Sequence, residues 1–300
     1  MLAVSPETMR ASAHADDPED VTTTFSASLS QRARLLRGGM SSVVLMFTPG
    51  LQRATDFVSA AIINQLGAAL VEHGLHLVWQ LGDVDDSGPS ADLAPVVVLS
   101  SAAEGDDVYD GLRDHFDVPV LSAYPGLEGF IAAGATAQVE HLYDRGRRHL
   151  AFAASNREEL VPTAQMRWVA ATEAAHKLGM NTPPRLTLPE DRAEAATHLQ
   201  GFLDQHPDID AVCAYNDEVA FAVLAAASDC GVAVPDQLAV IGIDNHPFGP
   251  VAIPALSTVQ SDVSEFVTAF AASIAGVARG DEAMDIALPD RAQAVTRASS

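Results

Sequence analysis

Two short apolar runs flanking an alanine-rich segment, all within residues 207–264, constrain this chain more than any other feature. Residues 209–215 are apolar, Asn216-Asp217 is polar, and 218–228 is helix-forming. Cys230-Gly231 stops that helix, Pro235-Asp236 marks a turn, and 238–243 is a second apolar run ending at Asp244-Asn245. Strands of continuous apolar character joined by a crossover helix are parallel and buried on both faces, so the expectation is a βαβ unit. In open α/β sheets the ligand crevice lies beyond the carboxyl ends of the strands, which predicts that Asn216, Asp217 and Asp244 line one crevice. Asp217 also has a purely structural reading, as N-cap of the helix it precedes.

The rest of the chain extends the pattern. Strands are expected at 42–47, 75–81, 95–101, 118–124 and 149–155, and helices at 56–73 and 134–145. A helix over 163–178, the strand 185–188 and a helix over 190–206 lead back to the central stretch. A helix over 262–279 has Val263, Phe266, Phe270, Ile274 and Val277 on one stripe, and closing strands are expected at 285–289 and 294–297. A chain of 300 residues buries a large core and usually makes two domains.

Composition narrows the function. Cys213 and Cys230 fit no metal or redox spacing, which predicts buried, reduced thiols and a cytosolic compartment. The N-terminus lacks a basic start followed by an apolar run, and no apolar stretch reaches membrane-span length, so export and insertion are disfavoured. Enzyme readings lack a G-x-S-x-G elbow, a Walker loop, a dinucleotide glycine fingerprint and a C-x-x-C pair, leaving only Asp244 with His246 as an acid–base candidate. No cofactor or metal is expected, and His141, inside a helix, reads as a packed or capping histidine. The net charge of −23, from 17 basic and 40 acidic residues, repels DNA unless a separate basic element reaches it.

YNDEVA with its following helix, then GVAVPDQLAVIGIDN, then PALSTVQ, resemble the effector-binding core of the LacI/GalR family of bacterial transcription regulators. That family reads AND-x-x-A, G-x-x-x-P-x-D-x-x-V-x-G-F-D-D and P-x-L-T-T-V in this order. GATAQVEHLYDRGRRHLAF resembles its G-x-x-x-A-x-x-H-L-x-x-x-G-H-R-x-I-A-F segment. The resemblance, over about residues 30–300, implies an α/β fold of two Rossmann-like lobes with parallel sheets joined by three crossovers, as in type I periplasmic binding proteins. It divides the chain into an arm and hinge at 1–40, a first lobe of 41–149 plus 258–281, and a second lobe of 150–257 plus 282–300. It implies a regulator whose lobes enclose a small-molecule effector, a sugar or similar metabolite, with Arg167 reaching into the cleft beside Asn216, Asp217 and Asp244. It also implies a homodimer.

Two departures matter. Members carry an Asp-Asn pair four residues before the glycine of the second segment, where this chain has Phe130-Ile131; the expected effector is therefore less polar or differently posed. At the N-terminus, AVSPETMRAS resembles the start of the family's recognition helix, with Ser5 as cap and Thr8 and Arg10 on the helix, and SQRARLLRGGMSS resembles its hinge, with Arg32, Arg34 and Arg37 as basic positions. The spacing between these landmarks is shorter than in the family, and three explanations stay open: a degenerate DNA-binding domain, a true start upstream, or a ligand sensor that has lost DNA binding. Operator DNA is expected as a partner only if the helix-turn-helix is complete. A transporter's solute-binding protein shares the fold, but the absent signal peptide disfavours it.

Overall fold

The computed structural model describes residues 41–48, 57–81, 93–102 and 105–300. The first sheet contains β1 (Val43–Thr48), β2 (His76–Leu81), β3 (Val97–Ser100) and β4 (Val120–Ser122) in the order β2-β1-β3-β4, all parallel. Its inner strands β1 and β3 are buried on both faces. Val44, Met46, Val97 and Leu99 face one core, and Leu45, Phe47 and Val98 face another with Leu112. The continuous apolar runs follow from this two-sided burial.

The second sheet contains β5 (Leu150–Ser155), β6 (Arg185–Leu188), β7 (Ala211–Ala214) and β8 (Ala239–Ile241) in the order β6-β5-β7-β8, again parallel. The βαβ unit is β7, α6 (Asp217–Cys230) and β8, as the sequence predicts. The other helices are α1 (Phe57–Glu72), α2 (Asp107–His115), α3 (Leu127–Asp144), α4 (Val161–Lys177), α5 (Arg192–Gln205) and α7 (Ser264–Ala278). Strand β9 (Thr258–Gln260) pairs antiparallel with β10 (Gln293–Val295) in a separate ribbon.

The segments passing between the sheets are shared by the two cores. Helix α3 begins with Leu127 and Phe130 against the first core and continues with Ala135, Val139 and Leu142 in the second. Val259 of β9 lies in the second core, α7 packs into the first, and Ile286 and Leu288 return to the first. Divisions at 149/150, 257/258 and 281/282 thus cut through or beside segments that pack on both sides.

Helix α3 starts seven residues before the expected 134. Its N-cap is Gly126 at φ 77°, with no side-chain cap bond, so the usual Ser/Thr/Asp/Asn signal is missing. Residues 285–289 are not a strand. That stretch is tied to the first lobe by Leu288 N–H donating to the Pro125 carbonyl at 2.7 Å.

Candidate functional site

The loop at the carboxyl end of β8, α1, α3, α4 and the β9 crossing line a cavity of ≈ 180 Å³. Its wall includes Ile62 from α1, Phe130 and Ile131 from α3, Arg167 from α4, and Ile243 and Asp244 from the loop after β8.

Arg167 and Asp244 meet here. Arg167 is 4% exposed. Its Nη1 donates to the Tyr215 carbonyl, its guanidinium carbon lies 4.5 Å from the Tyr215 ring centroid, and its Nη2 is 3.9 Å from Asp244 Oδ1. A planar guanidinium suits this double duty, because it can stack on a ring and still donate in its plane. The Asp244 side chain is 3% exposed, and its backbone sits at φ 110°, followed by Asn245 at φ 49°. Such φ values are costly for non-glycine residues and persist where surrounding bonds enforce them. Asp244 N–H donates to the Val259 carbonyl at 2.8 Å, and Asn245 N–H donates to Thr258 Oγ1 at 3.2 Å.

Asn216 and Asp217 do not join the cavity wall. The Asn216 side chain is turned back onto its own helix, where Oδ1 accepts from Val219 N–H at 2.9 Å, making it the N-cap of α6. Asp217, the first helical residue, is not the cap. Its carboxylate accepts from Thr258 Oγ1–H at 2.6 Å and from His246 N–H at 2.7 Å, binding α6 to the β8 loop and to β9. Burial pushes this carboxyl up to about 6, against the opposing pull of those two hydrogen bonds and of Arg297 and Arg167.

Several contributors were not foreseen. Arg297 donates from Nη1 to the Leu256 carbonyl and from Nη2 to Asn245 Oδ1, both at 2.6 Å. Asn245 Nδ2 donates to Gln260 Oε1 at 2.7 Å. Thr258 and Gln260 lie inside the PALSTVQ segment, which could have flagged them; Arg297 is 52 residues from its partner and carries no local signal. His141 Nε2 lies 2.8 Å from Ser300 Oγ, and burial followed by the charge of Arg145 lowers its pKa. The His246 ring packs against Phe221 and Phe248, at 5.5 and 5.3 Å. Cys213 is buried in β7, its thiol pushed up to about 12, and Cys230 Sγ lies 3.2 Å from the Ala196 carbonyl. Among the described residues no group of three or more His, Cys, Asp or Glu side chains could hold a metal, and no helix is long and apolar enough to cross a membrane. Ser5, Thr8 and Arg10 lie outside the described residues.

Residues 139–300, more than half the chain, match the family model of the periplasmic binding protein-like domain. The chain belongs to this family. Within it, the chain is 30% identical over 132 residues to the ribose operon repressor of Halalkalibacterium halodurans, covering 44% of this chain and 39% of that one. It is 27% identical over 129 residues to the HTH-type transcriptional regulator AscG of Escherichia coli, covering 43% and 38%. The aligned stretch thus spans about two fifths of those regulators. This periplasmic binding protein-like chain also has the fold of the lac repressor dimer bound to operator and the anti-inducer ONPF, at TM-score 0.69 and 16% identity over 90% of this chain and 98% of that one.

Proposed function

We propose that this chain is the sensing body of a LacI-type transcriptional regulator, in which a small-molecule effector binds between two lobes and controls DNA binding allosterically. The observation that carries this reading is the cavity beyond the carboxyl end of β8, where Arg167 of α4 meets buried Asp244 on a strained loop tied to the β9 crossing. Ligands of open α/β sheets bind in that place. The curated relatives, transcriptional regulators by name, support the regulatory part. A ligand favouring the closed lobes shifts the population towards them and changes how two protomers meet. The lobes are roughly 41–149 plus 258–281 and 150–257 plus 282–300, hinged in the shared crossing segments. Catalysis is no part of the reading, and the setting is cytoplasmic.

The working form is a homodimer. Phe248, Val251 and Ile253 are 67%, 72% and 92% exposed on one short segment of the second lobe, and a second copy of the chain is the occupant that would cover them symmetrically. Light scattering at micromolar concentration is expected to give a dimer mass, and Phe248→Asp with Ile253→Asp a monomer. The effector part is tested by calorimetry on Arg167→Ala, which removes a wall residue and leaves buried Asp244 without its counter-charge and is expected to weaken ligand binding. A ligand bound equally well by that variant would refute the cleft. The stand-alone sensor is the second reading, favoured by the net charge of −23. An effector-responsive chain without DNA binding under any salt condition would select it.

A further inference from the structure

Resting on the cleft as the effector site, we infer that the ligand is a small, uncharged ring compound with one or two hydrogen-bonding groups rather than a polyhydroxy compound. Both lobes contribute an apolar stretch to the cavity wall, which outweighs its polar part. Ile62, Ile131 and Ile243 are 5%, 3% and 8% exposed, Phe130 lies beside them, and Val259 and Val263 continue the surface. Hydroxyls set against these methyl and ring groups would lose their water partners without replacement.

The charges in the site cancel. Arg167 faces Asp244 at 3.9 Å and is engaged by the Tyr215 carbonyl and ring, while Arg297 is spent on the Leu256 carbonyl and Asn245 and draws on buried Asp217. Two cations and two carboxylates leave no surplus to attract an ion. Asn216 is committed to its helix. What remains for a ligand is the uncharged set of Gln65, Ser261 and the amide nitrogen of Gln260, whose Oε1 already accepts from Asn245. A cavity of ≈ 180 Å³ is close in size to the ~150 Å³ apolar cavities that take up benzene. One ring fills it.

The full chain is to be titrated calorimetrically with phenol, benzyl alcohol and cyclohexanol, and in parallel with glucose, ribose and benzoate. The neutral ring compounds are expected to bind with one site per protomer, at least about tenfold tighter than either monosaccharide or the anion. Ala61→Phe and, independently, Ser261→Phe, which fill the cavity from α1 and from the β9 side, should each weaken that binding at least about tenfold while leaving the unliganded thermal transition in place. Ile131→Asn should shift preference towards the monosaccharides. Tight monosaccharide binding abolished by the filling variants would overturn the ligand class and leave the cleft standing. Ring binding indifferent to both filling variants would overturn the assignment to this cavity. Binding of neither class at millimolar concentration would refute the inference and the cleft reading together.

Discussion

Asp217 shows how one residue ties the site to the lobe joint. Its buried carboxylate holds Thr258 of the crossing strand and the loop that carries Asp244. With the folded carboxyl at about 6 and an unfolded value near 4, the native chain retains a proton between these limits that the unfolded chain has released. Stability from this group is therefore greatest at low pH, falls as pH rises from about 4 to about 6, and is level above, a span on the order of 2–3 kcal/mol. Urea unfolding at pH 4, 5, 6 and 7 is expected to show this decline in the parent and to lose it in Asp217→Asn; identical profiles would refute the raised carboxyl. Gly242 makes room for this arrangement, since a Cβ there would overlap Asp217 Oδ1 and press on the Asp217 backbone. Gly242→Ala is accordingly expected to destabilise by roughly 3 kcal/mol, read as a lower urea midpoint, because overpacking and a displaced buried carboxylate act together. At this scale the sequence was half legible. Asp244 was singled out because an apolar run ends at it and Arg167 by the family resemblance, and both line the cavity. Asn216 and Asp217 do not line the cavity, because a side chain at a strand–helix junction points according to local φ and ψ, and at Asn216, extended at φ −152°, that direction leads back to the helix.

Secondary structure was legible in the doubly buried strands β5 and β7 and in the helix α5, whose cap Asp191 accepts from Ala193 N–H at 2.9 Å and Glu194 N–H at 3.0 Å, whereas the short helix α2, capped by Asp106, was not foreseen. It was less legible where long-range contacts set the boundary. Helix α3 begins at a left-handed glycine, and a Cβ on Gly126 would come within 2.8 Å of Ala287 Cβ and 3.2 Å of Leu288 N. No local pattern in 126–134 announces a partner some 160 residues away. That contact seats the start of α3, and with it Phe130 and Ile131, against the last crossing segment. Gly126→Ala should strain the backbone and push this segment away, at a cost of about 1–2 kcal/mol. Hydrogen exchange is the appropriate measurement: faster exchange at Leu288, whose N–H is bonded to Pro125, with α6 unchanged, is the expected pattern. Unaltered exchange at Leu288 would show that the contact does not hold the crossing segment.

For the whole molecule, two parallel sheets are joined by crossing segments that both cores share, with the cavity lined from both sides. The lobed plan was legible because each sheet repeats the same strand–helix rhythm, whereas the changeover points were not, because a crossing segment must satisfy both cores at once. Whether this body meets DNA depends on charge. DNA affinity comes chiefly from neutralised phosphates, and a chain of net charge −23 opposes that contact over most of its surface. The hinge-like stretch 30–40, outside the described residues, concentrates Arg32, Arg34 and Arg37 without an acidic residue among them. Three phosphate contacts per protomer give a slope of log affinity against log salt of roughly −3, or about −5 for a dimer engaging both arms. The chain is therefore expected to bind duplex DNA weakly at physiological salt and more tightly as salt is lowered, along that steep line. Replacing Arg32, Arg34 and Arg37 by alanine should flatten the slope almost to zero while leaving the dimer mass and ligand binding intact. A gel-shift titration between about 30 and 200 mM salt measures both. Tight, sequence-specific retardation at physiological salt that survives the triple substitution would overturn the expectation and assign DNA reading to side chains elsewhere in residues 1–40.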